Sequence, residues 1–417
     1  LTGFPAVCYK REETACSMKF AILLDHDPGL LNGASRQAAQ FIEWLLKRGH
    51  EIHLVHTASG GRPAAPRPGL TVSTVPSLSV AAYREYRIPV PPLAVRLWLS
   101  PRRVDIVHAE TMNPTLLALG YRMKRSAGAP MYNVLTTNLP FYASILLPRK
   151  GPIKTFVYRV GKPMMNAVSN RIEGTFVLSE GMRDALTRNF YRIDPARVFT
   201  WTRPLDPAAF AARNGRSTVW DRLGIPRGGR LATLSRLCRT KNVEFLIQTF
   251  ARELAPRDPS LHLVVAGEGP LEGDLRGLAA KLGCDRVHFP GLIPYDQVPD
   301  FLAGADGFLF SSLSETFGNA VCEAKYAGVP VVALDDGGGV RSQIVDRLTG
   351  VLVADADEKL FAERVMELRR DEALRERIRH GARRDVVVRH CPDRIYGGLM
   401  EVYERSVGGL SGARMSL

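Results

Sequence analysis

The chain has no Cys-x-x-Cys pair: its six cysteines, Cys8, Cys16, Cys238, Cys284, Cys322 and Cys391, are scattered, and no Cys/His cluster accompanies them. That argues against structural zinc and a disulfide framework, and for reduced thiols in a cytoplasmic protein. No apolar run approaches the roughly 18 residues a membrane-spanning helix needs. Residues 1–17 lack the apolar core of a signal peptide, and Met18-Lys19-Phe20-Ala21-Ile22-Leu23-Leu24 reads as a native start, so 1–17 is expected to be an upstream extension or a non-native addition. Zinc-finger spacing and aromatic RNA-binding signatures are also missing, so nucleic acid is not expected as a partner.

What is present is length and an uneven charge. A chain of 417 residues, 45% hydrophobic and 24% charged, exceeds one ordinary core and suits two domains. The net charge of +14 sits almost wholly in the first half: residues 1–200 hold 26 Lys and Arg against 13 Asp and Glu, and residues 82–165 hold 13 against 3. Apolar stretches such as Val95-Arg96-Leu97-Trp98-Leu99 and Phe141 to Leu147 interleave with this charge. A basic surface studded with apolar side chains suits an anionic membrane leaflet, each nearby Lys or Arg adding about 1 kcal/mol of attraction. A basic half that is merely soluble fits the same counts.

Strand and helix patterns alternate twice along the chain. Lys19–Asp25 reads as a strand, a loop with Gly29 and Gly33 leads to a helix over Ser35–Lys47, and Glu51–Thr57 is the next strand. Strands at Val104–His108, Met131–Leu135 and Gly174–Leu178 follow, with a helix from Pro114 to Ser126. After Arg203-Pro204 the alternation restarts with strands at Arg230–Leu234, Leu261–Ala266, His288–Phe289, Gly307–Phe310 and Val329–Leu334. The helices between them fall at Asn242–Leu254, Leu271–Leu282, Val298–Ala303 and Asn319–Ala327. The expected organisation is α/β, with two doubly wound domains over 18–203 and 204–390 and a last helix-like segment in 391–417 that can belong to either.

Two carboxylates flank the start of one of these helices: Glu315 in the turn after a strand and Glu323 in the second helical turn of Ser314-Glu315-Thr316-Phe317-Gly318-Asn319-Ala320-Val321-Cys322-Glu323. Backbone N–H groups around Phe317, Gly318 and Asn319 can hold an anion there, with hydroxyls taken by a carboxylate on either side. Sugar, diphosphate and ribose have that polarity. A charged turn followed by a helix with one solvated glutamate has the same spacing. Arg236 and Lys241, at the end of one strand and the start of the next helix, can both reach a phosphate, each contributing about 4 kcal/mol at 4 Å for an effective dielectric near 20.

With Leu234-Ser235-Arg236 to Asn242, Val265-Ala266-Gly267-Glu268-Gly269-Pro270, Phe289-Pro290-Gly291, the Glu315 to Glu323 run and Ala327 to Ala333 in that order, the chain resembles the retaining glycosyltransferases of family 4, from about Lys19 to Arg405. The resemblance implies the GT-B architecture, two Rossmann-like domains facing across a cleft, the first binding the acceptor and the second a nucleotide sugar. It implies that Arg236 and Lys241 bind the donor diphosphate, Glu315 the transferred sugar and Glu323 the ribose. Phe317, Gly318 and Asn319 would give main-chain contacts, and Leu292 would lie by the base. Gly267 and Gly269 permit a tight turn near the ligand. Gly337-Gly338-Gly339 closes a loop over the cleft or is a plain flexible turn. No metal or other cofactor is implied.

In the first domain Gly33 matches the family's phosphate-loop glycine, although Asn32 could simply cap the helix. Thr136, in Leu135-Thr136-Thr137-Asn138, stands where many relatives carry a histidine near the reacting carbon; a hydroxyl can bond a sugar but cannot become a cation near neutral pH. His108, read as the end of a strand, takes over part of that task or is a satisfied strand-end histidine. Leu146 to Asn166 resembles the membrane-docking and acceptor-entry region of sulfolipid and diacylglycerol glycosyltransferases, and equally fits a helix packing on its own domain. The implied reaction moves a hexose from a nucleoside diphosphate sugar to a hydroxyl, on a membrane lipid or lipid-linked glycan, at the inner face of the membrane. A nucleotide-sugar epimerase and a non-catalytic sugar-nucleotide or membrane-binding module are the alternatives.

Overall fold

The computed structural model describes residues 17–26, 33–57, 67–80, 83–89, 103–136, 155, 157–205, 210 and 218–408. The chain divides into two compact units, residues 1–203 with 393–417, and residues 204–392.

In the first unit the continuous apolar run of β1 (Lys19–Leu24) suits a strand buried on both faces. It pairs in parallel with β2 (Glu51–Thr57) and β6 (Ile106–Glu110). With β3 (Leu70–Val75), β7 (Met131–Leu135), β8 (Gly174–Val177) and β9 (Val198–Thr200), the sheet order is β3-β2-β1-β6-β7-β8-β9. The antiparallel pair β4 (Ser77–Val80) and β5 (Tyr83–Pro89) stands apart from it. The period-2 alternation of β1 sorts the core. Phe20, Ile22 and Leu24 meet Phe41 of helix Gly33–Leu46 and Tyr396, Leu399 and Tyr403 of helix Pro392–Val407. Ala21 and Leu23 meet Leu116 and Leu117 of helix Pro114–Ala127.

The C-terminal helix therefore supplies core to the unit that contains β1. This position corrects the assignment of His108. The strand runs to Glu110, two residues past the expected end, which puts His108 in its middle. There it is fully buried: Nδ1 lies 2.6 Å from the Tyr403 hydroxyl and Nε2 lies 3.2 Å from Glu110 Oε1. Nδ1 holds helix Pro392–Val407 to the sheet, Nε2 is taken by Glu110 of the same strand, and no part of the imidazole reaches solvent.

The second unit carries β10 (Arg230–Leu234), β11 (His262–Ala266), β12 (Val287–Gly291), β13 (Gly307–Phe310), β14 (Val331–Leu334) and β15 (Val351–Val353), all parallel, in the order β12-β11-β10-β13-β14-β15. This is the doubly wound Rossmann order, with the reversal between β10 and β13. One face packs Leu231, Leu263, Val265, Leu309 and Val332 against Phe250 and Phe361. On helices Thr218–Leu223 and Val298–Ala303, Trp220 and Phe301 stack at 5.0 Å, and Trp220 Nε1 donates to the Phe301 carbonyl at 2.8 Å. Among the described residues no helix is long and apolar enough to cross a membrane.

Candidate functional site

Ligands of doubly wound sheets lie beyond the carboxyl ends of the strands, where the order reverses. In the second unit that point is between β10 and β13, and the segments leaving these two strands carry Arg236 and Lys241 on one side and Glu315 on the other. Backbone and hydroxyl bonds stitch the two exits together. Ser311 Oγ donates to the carbonyls of Lys241 and Asn242 at 3.0 and 2.9 Å, Ser312 Oγ donates to that of Thr240 at 3.1 Å, and the Leu313 N–H donates to the Thr240 carbonyl at 2.9 Å. Both serines are buried at 2% exposure, so these bonds are made away from water.

The consequence is a direct pair: Lys241 Nζ donates to Glu315 Oε1. Both side chains are largely enclosed, at 17% and 10% exposure. The lysine expected to meet a phosphate and the carboxylate expected to meet a sugar hydroxyl thus occupy one point of the sheet edge. Arg236, half-buried, leaves the same strand.

The Arg236 segment is set by backbone packing. The Ser235 and Leu237 N–H groups donate to the Ala266 and Glu268 carbonyls at 3.1 and 2.9 Å. A Cβ at Gly267, whose φ is 122°, would stand 1.9 Å from the Ser235 carbonyl oxygen, and one at Gly269 would stand 2.3 Å from that of Leu237. The two glycines let one loop lie against the other and clamp Arg236 from both sides. Gly267→Ala is expected to lose about 3 kcal/mol of stability and to weaken nucleotide binding, measured by urea unfolding and nucleotide titration. A variant within about 0.5 kcal/mol of wild type would refute the clamp.

On the other side, the Glu315 turn is held by residues the sequence reading passes over. Asp336 accepts from the N–H of Glu315 at 2.7 Å, and from those of Gly338, Val340 and Arg341 at 2.8, 3.1 and 3.3 Å. Burial pushes its carboxyl above the usual range, against the pull of these four donors. Gly339 N–H donates to the Glu315 carbonyl at 2.9 Å, and a Cβ at Gly339 would lie 2.6 Å from Phe317 N. Gly338 and Gly339 therefore form a packed brace beneath the Glu315 turn, which corrects the expectation of a plain flexible turn for these two. An acidic pair before a glycine run, Asp335-Asp336-Gly337, is an Asx-turn signal that could have revealed it.

Helix Asn319–Tyr326 begins at Gly318, in the left-handed conformation with φ 86°. Gln343 Nε2 donates to the carbonyls of Phe317 and Gly318 and fixes the turn that precedes it. The Phe317 ring is buried and meets the His390 ring edge-on at 5.4 Å, so only its main chain is available to a ligand. Glu323 sits in the second turn of the helix at 5% exposure. Lys325, fully buried on the same helix, donates to the Gln343 carbonyl and, at 2.7 Å, to Asp385 Oδ2. Leu292, just beyond β12, is 59% exposed at the same carboxyl edge, after Gly291 with φ 81°.

In the first unit Thr136 follows β7 directly and is half-buried, and Gly33 opens the helix after β1, while the intervening loop 27–32 lies outside the described residues. The apolar-basic segment is described only at 155 and from 157 onward; there helix Lys162–Ser169 buries Met165 and Val168 in its own unit's core. Its preceding part lies outside the described residues.

Residues 31–209 match the family model for Glycosyltransferase Family 4, and residues 226–385 match that for Glycosyl transferases group 1. The chain is 33% identical over 265 residues to a D-inositol 3-phosphate glycosyltransferase of Salinispora arenicola, covering 60% of this chain and 57% of that one. It is 26% identical over 300 residues to the alpha-monoglucosyldiacylglycerol synthase of Streptococcus pneumoniae, covering 69% and 65%. The match thus spans somewhat less than two thirds of the length of each of these relatives. The Anabaena Alr3699/HepE structure in complex with UDP-glucose shares the fold, with a TM-score of 0.71 at 18% identity over 93% of this chain and 99% of that one. Two consecutive domain matches over two parallel-sheet units make this a protein of GT-B architecture, and the chain belongs to the glycosyltransferases whose first half is the family 4 domain and whose second half is the group 1 domain.

Proposed function

We propose that this chain transfers a hexose, with retention, from a nucleoside diphosphate sugar to a hydroxyl of an acceptor. The observation that carries the reading is the Lys241–Glu315 pair at the switch point of the second unit, one helix start away from the buried Glu323. A diphosphate over the N-terminus of helix Asn319–Tyr326 meets helix amides, Arg236 and Lys241. Lys241 then bridges phosphate and Glu315, while Glu315 keeps its second oxygen for sugar hydroxyls. Glu323 takes the ribose hydroxyls, and Leu292 offers an apolar surface to the base.

The chemistry follows from where charge develops. The bond from the anomeric carbon to the phosphate oxygen breaks, the acceptor oxygen bonds to that carbon on the same face, and the acceptor's proton passes to the departing diphosphate. Negative charge grows on the diphosphate, and preorganised positive groups there stabilise the transition state more than acid or base help at the acceptor. These groups carry the reaction without asking for a metal.

The acceptor is assigned to the first unit, and a lipid or lipid-linked hydroxyl fits its excess of basic residues and the name of the Streptococcus relative. Peripheral attachment to an anionic membrane belongs to the same reading.

The test uses the full chain with UDP-glucose and GDP-mannose as donors, and inositol 3-phosphate or diacylglycerol in phosphatidylglycerol vesicles as acceptors, following nucleotide release and labelled product. Glu323→Ala is expected to weaken nucleotide binding about tenfold, and Glu315→Ala to reduce transfer more than binding. Equal and negligible effects of both would overturn the assigned roles, and absence of any donor binding or turnover would overturn the transferase reading.

A further inference from the structure

The first unit holds a second polar constellation at the reversal point of its own sheet, between β1 and β6. Asp25 follows β1 and links two neighbours. Its Oδ1 lies 3.0 Å from His26 Nδ1, and its Oδ2 accepts from the Thr111 hydroxyl at 2.7 Å. Thr111 follows β6 and is tied in turn to β7: its N–H donates to Asn133 Oδ1 at 3.3 Å, and Asn133 Nδ2 donates to its carbonyl at 3.1 Å. The Thr111 hydroxyl also accepts from the Asn113 N–H at 2.8 Å. With its proton committed to Asp25 and an amide arriving from Asn113, that hydroxyl cannot swing away.

This arrangement fixes one imidazole. His26 is 7% exposed, so its ring is held by its surroundings. A carboxylate beside Nδ1 selects the tautomer with the proton on that nitrogen, which leaves Nε2 with a lone pair. Nε2 is buried and has no hydrogen-bond partner among the described residues. It also projects from the side of the ring opposite Asp25. Buried polar atoms are nearly always paired, and one left open costs about 1–3 kcal/mol, so an oriented, unpartnered acceptor at a ligand-bearing sheet edge requires a reason.

We infer that His26 Nε2 accepts a hydrogen bond from a hydroxyl of the acceptor substrate, and that Asp25 and Thr111 are positioning residues that set its tautomer and angle. The inference rests on the transferase reading above and adds the acceptor contact to it. It assigns the acceptor a hydroxyl-bearing polar group at the β1–β6 edge. Arg236, Lys241, Glu315 and Glu323 belong to the other unit, and the donor-side candidates of this unit, Gly33 and Thr136, are not members of the Asp25–Thr111–Asn133 constellation, so this edge is assigned to the second substrate. His26 does not remove the proton that moves in the reaction; it orients the molecule that carries it. Packing alone would leave the open nitrogen unexplained, since a leucine or phenylalanine would fill the same space without stranding a polar atom.

The experiment measures the two Michaelis constants separately, with UDP-glucose or GDP-mannose as donor and inositol 3-phosphate or diacylglycerol in phosphatidylglycerol vesicles as acceptor. In His26→Leu the acceptor KM is expected to rise about tenfold and the donor KM to stay within about twofold, with His26→Gln recovering part of the loss through its side-chain oxygen. A rise confined to the donor KM, or no change in either, overturns the inference. Since His26 is buried, the wild-type chain labelled with 15N-histidine supplies a second readout. The Nε2 resonance is expected to shift on adding the acceptor probe and to stay in place with UDP alone; a resonance insensitive to both acceptor probes also overturns the inference. If wild type binds no donor and transfers to no acceptor, the transferase reading fails and takes this one with it. If wild type transfers and His26 alone is indifferent, only this inference fails.

Discussion

Replacing Lys241 by methionine is expected to lower kcat for transfer by about 10²–10³-fold while the donor KM changes far less. The reason is the timing of charge. On the proposed reading a bound diphosphate, already anionic, is shared among Arg236, Lys241 and the helix amides, so losing one cation costs moderate affinity. The departing diphosphate gains charge at the oxygen that leaves the sugar, and a fixed cation there is felt most at that moment. The variant also strands Glu315, whose Oε1 accepts from Lys241 and whose side chain is only 10% exposed. A carboxylate without its cation, facing a diphosphate, adds repulsion to the lost attraction. The double variant Lys241→Met/Glu315→Gln should therefore lose less than the two single losses combined, the signature of two groups acting as one. Steady-state nucleotide release on the three variants and wild type closes the cycle. A kcat within a factor of three of wild type for Lys241→Met, or strict additivity in the double variant, would refute the shared role.

The residues of that prediction are legible in the sequence because each sits where a strand ends, and strand ends show as apolar runs cut by charge or glycine. Arg230–Leu234 and Gly307–Phe310 match their expected bounds, so Arg236, Lys241 and Glu315 fall at the carboxyl edge by simple counting. His108 shows how little error this tolerates. Reading the strand as ending at residue 108, where it ends at Glu110, turns a buried residue bonded to Tyr403 into an apparent ligand contact. The signal is ambiguous because Glu110 continues the strand without continuing the apolar pattern, and Glu110 is buried through its bond to His108. Partners across long separations leave no local trace: Tyr403 lies 295 residues from His108, and Asp385 lies 60 from Lys325.

The polar alternation of Leu70–Val75 and the charge-dense helices Glu358–Arg370 and Glu372–Arg389 are absent from the expected elements for a related reason. Each presents only a narrow apolar stripe to the core, as Leu374, Ile378, Ala382 and Val386 do along the last of them. The sequence spacing of four there is helical, but Arg and Glu at most intervening positions mask it in composition. His26 is the opposite case. Its residue type is visible, and its open nitrogen is not, because that depends on Asp25 and Thr111 from the ends of two strands meeting Asn133 from the middle of a third.

Lys325→Met is expected to destabilise the protein by about 3 kcal/mol, the cost of breaking a buried ion pair from one side. Lys325 is fully buried, and burial pulls its ammonium below the usual range while Asp385 holds it up. Removing it leaves Asp385, 15% exposed, with Arg389 at 3.3 Å as its remaining cation, which keeps the loss toward the low end for such pairs. It also strips the Gln343 carbonyl of its donor. Gln343 is the residue that anchors the Phe317 and Gly318 carbonyls, so the loosened segment is the helix start that the proposed function sets against the diphosphate. The single variant should thus lose nucleotide affinity as well as stability, even though Lys325 itself cannot reach a ligand. Replacing both partners, Lys325→Met/Asp385→Leu, should restore most of the stability, because two apolar side chains need no charge compensation in that space. It should restore affinity less, since the Gln343 carbonyl still lacks its donor. Urea unfolding and nucleotide calorimetry on the three chains separate the two effects. A single variant within about 0.5 kcal/mol of wild type would show that the buried pair contributes nothing, and a double variant no more stable than the single would show that Lys325 acts through packing and not through its charge.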